Sequence, residues 1–468
     1  MPVVPSIGES TVCELHRDFL TCTSDTDTAA EEAYTKILGR RYPRVPFAPY
    51  RHMIRSHGVP DLAATDDEAH EDARSVENSH FTLKQISILK PILSRFNTIH
   101  NLDVIKKVEL FQGVSWHKER QCVAFTSGSH QVCVYDFEES EPREPVILSS
   151  ECQKVVSAIA WRPNAGMTLC VACRGGVCIW MLSYLGSIAP LRSGNTSLLG
   201  APSGSSGARW VLVDYLRNPN NHVVTSLSWN PSGRLLACAS FYERAFMVWD
   251  LAQGISTPLK RGFGGICLLQ WSPRGDYLFS SHMDGVFRLW ETENWTSEKW
   301  SSASGPVISA MWNSNDGILL MAFDQGTTLG ALYLASRPPS LDFQLLPVEL
   351  PDIQRITGGN GRIEKMVWDH NGERFAVTFS GGDDVHSGLV AVYDTRKTPI
   401  LALSLLGFIR GPEPGAKAMS LAFYESLDSG LLLSVVIFFC RKRNVDRSLI
   451  CLLFFLCFYF SFENVRRK

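Results

Sequence analysis

Residues 224–250 read VTSLSWNPSGRLLACASFYERAFMVWD, and this phrase decides the fold. It opens with an alternating run that ends at Trp229, turns at Pro231–Gly233 into a second apolar run, and closes on Trp249 and Asp250. Alternation at a period of two gives a strand two different faces. Pro presets φ and Gly accepts a positive φ, so the pair favours a turn. The phrase therefore predicts three short strands joined by turns.

The phrase recurs along the chain with a nearly constant internal spacing, because its two aromatic residues are separated by almost the same length of chain in four copies. A fading seventh copy is found at Ala418–Tyr424. The first aromatic residues, which we predict to be largely buried at equivalent positions of the repeat, are Trp116, Trp161, Trp229, Trp271, Trp312 and Trp368. The second aromatic residues, which we predict to close each repeat, are Tyr135, Trp180, Trp249, Trp290 and Tyr393.

The repeat length identifies the architecture. The interval from Trp229 to Trp271 nearly equals the interval from Trp271 to Trp312. Both fall within the length of about 40–45 residues that is typical of a four-stranded WD-type propeller blade, which often ends in Trp-Asp. A fourth strand would lie in the spacer, near Thr257–Arg261. We therefore predict an all-β, seven-bladed WD40-type β-propeller, and the sequence leaves open whether the last blade is complete.

Composition limits the class of protein. The chain has 468 residues and a formal net charge of −2, so no global field favours nucleic acid or a membrane surface. Its 13 cysteines are an odd number, and several fall within predicted strands, which is typical of a reducing compartment. The first ten residues, MPVVPSIGES, show no signal segment. These observations predict a location in the cytosol or nucleus.

The spacing of the motifs divides the chain into regions. Asp61–His80 carries seven acidic residues against one basic residue and is expected to be solvated. The strand Asp103–Gln112 is expected to complete the last blade. The predicted regions are a largely disordered extension with a solvated linker over 1–80, a helical segment over 81–102, the propeller over 103–435 with a flexible insertion over 183–221, and an atypical basic and apolar tail over 436–468.

Chemical motifs are weak. Cys170 and Cys173 have metal-like spacing, but residues three apart on a strand face opposite ways and no second pair follows, so we interpret them as core cysteines. His222, His282 and His370 have no partner on a helix that would indicate zinc. The first strands of the repeats carry Ser, Ala, Leu and Val rather than converging carboxylates or histidines. We expect no catalytic residues, cofactor or metal. A scaffold is favoured over an enzyme that uses the central channel, which stays as the alternative.

One stretch resembles a known family. Val286–Trp300 reads VFRLWETENWTSEKW, and together with Arg261–Trp271 and Gly407–Lys417 it resembles the Aladin family of WD-repeat nucleoporins over about residues 105–435. The resemblance is specific because Trp295 and Trp300 have no place in a generic WD consensus. It implies a non-enzymatic propeller at the nuclear pore complex of the nuclear envelope. It also implies a role in nucleocytoplasmic transport, in some members in spindle assembly, and partners among other nucleoporins, one of them membrane-spanning. Direct contact with nucleic acid is not expected.

The tail departs from that family after Val435. Leu449–Phe462 is a run of 14 mostly apolar residues, which as a helix would be about 21 Å long, short of a hydrocarbon core of about 30 Å. It could lie at an interface or anchor the chain as a tail, and membrane contact is expected only in that case. A coding artefact or truncated isoform is the favoured interpretation. It predicts that the last blade lacks its third strand and exposes an unpaired edge.

Overall fold

The computed structural model describes residues 4–7, 9–15, 18–22, 113–126, 130–137, 145–184, 202–203, 208–314, 317–336, 338–382, 385–397, 400–411, 417–424, 430–442 and 449–461. All of them belong to the unit formed by Met1–Val45 and Phe111–Lys468. The second unit, Pro46–Leu110, lies outside the described residues, as do the helix predicted over 81–102 and the strand predicted at Asp103–Gln112.

The described chain is almost entirely β-structure, arranged as seven sheets that we call blades one to seven. An amino-terminal hairpin comes first, made of β1 (Ser10–Leu15) and β2 (Asp18–Cys22). Blade one comprises β3 (Val114–Trp116), β4 (Cys122–Thr126), β5 (Val132–Asp136) and β6 (Val146–Leu148). Blade two comprises β7 (Ala158–Trp161), β8 (Thr168–Cys173), β9 (Gly176–Tyr184), β10 (Pro202–Ser203) and β11 (Ala208–Arg217).

Blades three to five follow the predicted repeat. Blade three comprises β12 (Ser226–Trp229), β13 (Leu235–Ala239), β14 (Ala245–Asp250) and β15 (Ile255–Lys260). Blade four comprises β16 (Ile266–Trp271), β17 (Tyr277–His282), β18 (Val286–Glu291) and β19 (Ser297–Ser301). Blade five comprises β20 (Val307–Trp312), β21 (Ile318–Phe323), β22 (Leu329–Leu334) and β23 (Phe343–Val348).

Blades six and seven complete the set. A six-residue helix, α1 (Pro351–Ile356), precedes blade six and begins with a proline, whose missing N–H is not needed in the first helical turn. Blade six comprises β24 (Arg362–Trp368), β25 (Arg374–Ser380), β26 (Val390–Arg396) and β27 (Ala402–Ile409). Blade seven comprises β28 (Lys417–Tyr424), β29 (Gly430–Lys442) and β30 (Leu449–Ser461), to which the amino-terminal hairpin is added.

The blades form a closed ring. The first strand of each blade contacts the first strand of the next, and β28 contacts β3, so the ring has no gap. The second strands are wholly buried in blades one, two and four, because each lies between two neighbouring sheets. The fourth strand of blade three, by contrast, is mostly exposed. The predicted seven-bladed all-β propeller is confirmed.

Blade seven corrects two predictions about the ends of the chain. The order of its strands is β2-β1-β30-β29-β28, so the apolar tail forms β30 and the predicted missing strand is present. β1 pairs in parallel with β30 through Cys13↔Tyr459 and Glu14↔Phe460. The prediction of an irregular extension over 1–80 is therefore wrong for residues 10–15 and 18–22. Apolar alternation is weak there, and the partner strand lies near the opposite end of the chain.

Two further predictions are corrected in part. The insertion predicted as a flexible loop over 183–221 contains β11, whose ten residues pair with β9 across a register from Ala208↔Tyr184 to Arg217↔Gly176. Much of its glycine- and serine-rich middle lies outside the described residues. The tail, for which a position at a membrane was the alternative to a coding artefact or truncated isoform, is a strand paired along its length with β29, from Gly430↔Ser461 to Lys442↔Leu449. Among the described residues, no helix is long and apolar enough to cross a membrane.

Candidate interaction surfaces

The repeated tryptophans are packed between blades. Trp161, Trp229, Trp271, Trp312 and Trp368 are buried, each at the end of the first strand of its blade. The indole Nε1 of Trp161 donates to the carbonyl oxygen of Ser115 at 2.9 Å, and that of Trp312 donates to Gln270 at 3.4 Å. Each acceptor belongs to the first strand of the preceding blade. These side chains therefore join neighbouring blades and are not available to a ligand.

Trp116 differs because it lies at the seam of the ring. It is only half-buried, and its Nε1 donates to Oγ of Ser434 in blade seven at 2.8 Å. Its ring lies 4.8 Å from that of Tyr424 and 5.5 Å from that of Phe137. Trp161 and Trp312 each contact the preceding blade in the sequence, whereas Trp116 in blade one contacts blade seven.

The second set of aromatic residues is also mostly core. Tyr135, Trp180, Trp290 and Tyr393 are buried, whereas Trp249 is half-buried. Trp180 donates to Oε1 of Gln153 at 2.8 Å, and Trp290 donates to Oγ of Ser280 at 2.9 Å. Burial raises the pKa of Tyr135 and of Tyr393. These residues hold the third strands against the core. The indoles of Trp180 and Trp290 are hydrogen-bonded, whereas the Tyr393 hydroxyl is buried without a partner among the described residues.

A buried ion cluster binds the amino-terminal hairpin to blade six. Nη2 of Arg374 lies 3.0 Å from Oε1 of Glu14, and Nη1 lies 2.8 Å from Oδ1 of Asp394. The side chains of Arg374 and Glu14 are 9% and 1% exposed, so the charges are removed from water and depend on each other. We call this set the Glu14 cluster. A related pair, Arg234 with Asp250, occurs at the second and third strands of blade three, but it has no counterpart of Glu14.

The same hairpin is held by a second arginine. Arg410 donates from Nε to the carbonyl oxygen of Pro5 at 2.9 Å, and its backbone N–H donates to Oγ1 of Thr11 at 3.0 Å. The ring of Phe19 lies so close to Gly407 that a Cβ at this glycine would come within 2.8 Å of it. Burial lowers the pKa of the Arg410 guanidinium. The amino-terminal segment is therefore a docked part of the propeller.

Trp295, which the resemblance to the Aladin family singled out, occupies an unusual backbone position. Its φ is +55°, in a region that favours glycine, and Gly254 with φ of +71° stands at the corresponding turn of blade three. The Trp295 ring packs edge-on against Trp271 at 6.1 Å between centroids. Packing against the core therefore offsets the local backbone strain of about 1–3 kcal/mol.

The cysteines of blade two are core side chains. Sγ of Cys173 lies 3.9 Å from Sγ of Cys178, whereas Cys170 packs in a different part of the core. Burial raises the pKa of Cys170. Within the described ranges, no group of three His, Cys, Asp or Glu side chains could hold a metal ion. His282 is buried and packs near Gly262, while His222 stacks on Tyr242.

The junction of blades three and four carries the most exposed large apolar side chain in the described part of the chain. Phe263 is 85% exposed, and the nearby Tyr242 is 51% exposed. Both lie in loops on one face of the ring, because the loop between β13 and β14 and the loop between β15 and β16 emerge from the same ends of antiparallel strands. Composition gave no signal for this feature, since the segment 261–265 reads as an ordinary glycine turn.

Fold and surfaces together define a seven-bladed WD-type β-propeller whose repeated residues build the core. The family described as the Aladin seven-bladed propeller matches residues 106–444. Aladin of Arabidopsis thaliana is 44% identical over 437 residues, which is 93% of this chain and 96% of that protein. The chain belongs to the Aladin family.

More distant proteins share the propeller alone. The F-box-like/WD repeat-containing protein TBL1X of Homo sapiens is 30% identical over 98 residues, 21% of this chain and 17% of that protein. A chain of the crystal structure of the mitotic checkpoint complex superposes with a TM-score of 0.50 at 15% identity, covering 74% of this chain and 89% of its own. The Cps50 (Swd1) propeller of Myceliophteria thermophila gives 0.51 at 13% identity, with 74% and 96% covered. At such identities the likeness shows the fold only.

Proposed function

We propose that this protein is a non-enzymatic scaffold of the nuclear pore complex at the nuclear envelope, where it supports nucleocytoplasmic transport by binding other nucleoporins. The observation that carries the proposal is the match to an Aladin along 96% of that protein's length. A partial match would support a shared blade type. A match of this extent covers most of the propeller, since the family match spans residues 106–444.

The chemistry of the described residues supports binding over catalysis. The indole N–H groups of Trp161 and Trp290 donate to groups within the propeller and are not directed at a cleft. The Glu14 cluster, a buried group of charges, joins two parts of the fold and lies away from solvent. Enzymes place groups with matched pKa values in accessible clefts. The surface of the ring is therefore the part of this molecule that we assign to function.

Localisation of the full chain in living cells tests the proposal. We expect a fluorescent fusion to give a punctate nuclear rim that coincides with a marker of the pore. Because both chain ends contribute to blade seven, the fusion should be made at each end in turn, and a folded control is required. Diffuse signal from a soluble, folded protein in cells with intact pores would contradict the proposal.

Attachment through a membrane-spanning nucleoporin is the finer part of the proposal. It predicts that proximity labelling from the fusion protein marks a pore protein with transmembrane helices more strongly than it marks soluble pore proteins. Depletion of that membrane protein should release the fusion from the rim while other pore scaffolds stay in place. Retention of the fusion at the rim after this depletion would contradict attachment through a membrane-spanning nucleoporin but would not contradict the scaffold function.

A further inference from the structure

The loop that carries Phe263 is fixed on both sides. The N–H of Ile266 lies 3.2 Å from the carbonyl oxygens of Ser240 and of Glu243, which belong to the neighbouring loop of blade three. On the other side, the N–H of Met283 donates to the carbonyl oxygen of Gly265 at 2.8 Å. A Cβ at Gly265 would overlap the backbone carbonyl of the residue before Tyr242, so the loop fits only without a side chain there. Phe263 is therefore presented on a rigid support.

A second exposed aromatic side chain, Tyr242, lies in the neighbouring loop of blade three. Tyr242 follows Phe241, whose carbonyl contacts Gly265, and its ring stacks on His222 with centroids 5.3 Å apart. Single exposed apolar residues are common on protein surfaces, but a supported group of aromatic side chains is typical of interaction sites. Because hydrogen bonds already hold the backbone of this loop, a partner that binds there does not have to order the loop first.

Positive charge lies beside the aromatic rings. Arg261 precedes Phe263 in the loop between β15 and β16. Arg288 lies on β18 of blade four, where its register partner on β19 is Lys299. Within the described residues neither Arg261 nor Arg288 makes an ion pair, and Nε of Arg288 is buried without an acceptor. Burial, and then the Arg261 guanidinium, lower the pKa of Arg288, which agrees with two like charges held close together.

The carboxylates nearby do not neutralise this group. Asp284 is exposed, and its Oδ1 accepts from the N–H of Val286 at 3.1 Å, while its charge acts on Arg288 without a contact short enough for an ion pair. Glu243 accepts from the side-chain amide of Asn218 at 2.9 Å. Arg261 and Arg288, whose charges act on each other, thus place positive charge beside the aromatic loop, on a chain whose formal net charge is −2. The local sign is opposite to that of the whole protein.

We propose that Tyr242, Arg261, Phe263, Arg288 and Lys299, which we call the Phe263 patch, bind an acidic segment of a partner protein that carries one aromatic or aliphatic anchor. The anchor packs against Phe263 and Tyr242, while the flanking carboxylates pair with the cations. The inference deepens the proposed scaffold function, on which it rests only in assuming that partners of this protein are other proteins.

Peptide selection tests the patch without reference to the nuclear pore. Phage-displayed random 12-residue peptides are selected on the full-length chain, after depletion on the Phe263→Ser variant. We expect enriched peptides to combine Asp or Glu with a large apolar residue. In fluorescence anisotropy, the best synthetic peptide should bind Phe263→Ser and Arg261→Glu at least about tenfold more weakly than the wild type.

A matched control is available on the same blade. Ile255 is 57% exposed and lies at the other end of β15, about 20 Å along the strand from Arg261. Ile255→Ser should leave peptide affinity unchanged. Recovery of no peptide, enrichment without acidic residues, or equal affinity for Phe263→Ser would each overturn the proposal.

Vesicle cosedimentation tests whether the Phe263 patch binds a membrane surface instead of a protein segment. Cosedimentation with phosphatidylcholine vesicles that contain about a fifth phosphatidylserine should be weak and unaffected by Phe263→Ser. Vesicle binding that requires Phe263 would overturn the assignment to a protein segment. If the chain fails to reach the nuclear rim but binds acidic peptides through Phe263, the pore function fails and the patch stands. If the chain reaches the nuclear rim but does not bind acidic peptides through Phe263, the pore function stands and the proposal for the Phe263 patch fails.

Discussion

Blade three and blade seven reach the same kind of propeller sheet by different routes. Blade three is formed by one continuous segment from Ser226 to Lys260, and all its strand pairs are local hairpins. Blade seven needs both ends of the chain, since β1 joins β30 and the backbone N–H of Thr11 donates to the carbonyl oxygen of Arg410. Local pairs cost little loop entropy, whereas pairing of segments from opposite ends of the chain closes a very long loop and costs more. The seam is therefore the part of the fold that depends most on remote sequence.

Of the changes that we predict, removal of the tail should have the largest effect, because it destabilises blade seven and leaves blade three intact. Deletion of residues 449–468 removes β30, leaves β29 without a partner on one side, and takes from β1 its partner strand in blade seven. We expect loss of cooperative unfolding and aggregation through the exposed edge. Calorimetry and size-exclusion chromatography of the truncated chain measure this. A soluble, cooperatively unfolding truncated protein would show that blade seven does not need its third strand.

Tryptophan replacements compare the repeat with the seam. Trp229→Ala in blade three should lower the free energy of unfolding by about 3–5 kcal/mol, because removal of a buried aromatic side chain leaves a cavity. Trp116→Ala should cost less, since this side chain is half-buried and its neighbours belong to the seam. Urea denaturation of both variants gives the two values. Equal losses would mean that the seam is packed as tightly as a local blade.

The Glu14 cluster tests how strongly the amino terminus is held. Glu14→Gln removes one charge from the buried cluster and leaves Arg374 with Asp394 alone, so we expect a loss of about 2 kcal/mol. Faster proteolysis near residue 15 should accompany it. Glu9→Gln, on the same segment, is the comparison variant: its carboxylate accepts from the N–H of Ser6 and acts on Arg410 through its charge, so the loss should be smaller than for Glu14→Gln. Unchanged stability of Glu14→Gln would indicate that backbone pairing with β30 suffices.

The smallest effect is expected for the corresponding pair in blade three. The hydrogen bond and charge of Arg234 lower the pKa of Asp250, and Arg234 is exposed, so solvent screens the pair. A lowered carboxyl pKa means that the stabilisation exists above the pKa of the unfolded chain and is lost as pH falls through the folded value. Asp250→Asn should remove that acid dependence and change stability at neutral pH only slightly. A large loss at pH 7 would contradict this account.

Sequence reasoning succeeded where contacts are local. The alternation before Trp229 and the turn at Pro231–Gly233 specify β12 and β13, and the same signals placed the first three strands of most blades. It did not predict β1 or β30, because neither segment has an alternating pattern that indicates a strand. Each becomes a strand by pairing with a segment near the opposite end of the chain. The run Leu449–Phe462 is apolar at almost every position, and only its pairing with β29 on one side and β1 on the other shows that it is a strand inside a sheet.

The Phe263 patch could not be predicted from the sequence for a related reason. Arg261 and Arg288 are separated in the sequence by the whole of β16 and β17, and nothing in either segment indicates that the two side chains lie together. Phe263 lies between glycines, a pattern that predicts a turn and gives no information on exposure. The tertiary contacts of Gly265 with blade three and blade four decide that the ring points away from the core.

By itself, the sequence determined the repeated strand unit, the number of blades and the reuse of one aromatic residue per blade as core, because each follows from periodicity within about 40 residues. Only the tertiary structure decided how the ring closes, which charges are buried together and which aromatic side chains stay exposed. Those properties depend on contacts between segments far apart in the chain. Such contacts become favourable only once the intervening blades have brought the segments together.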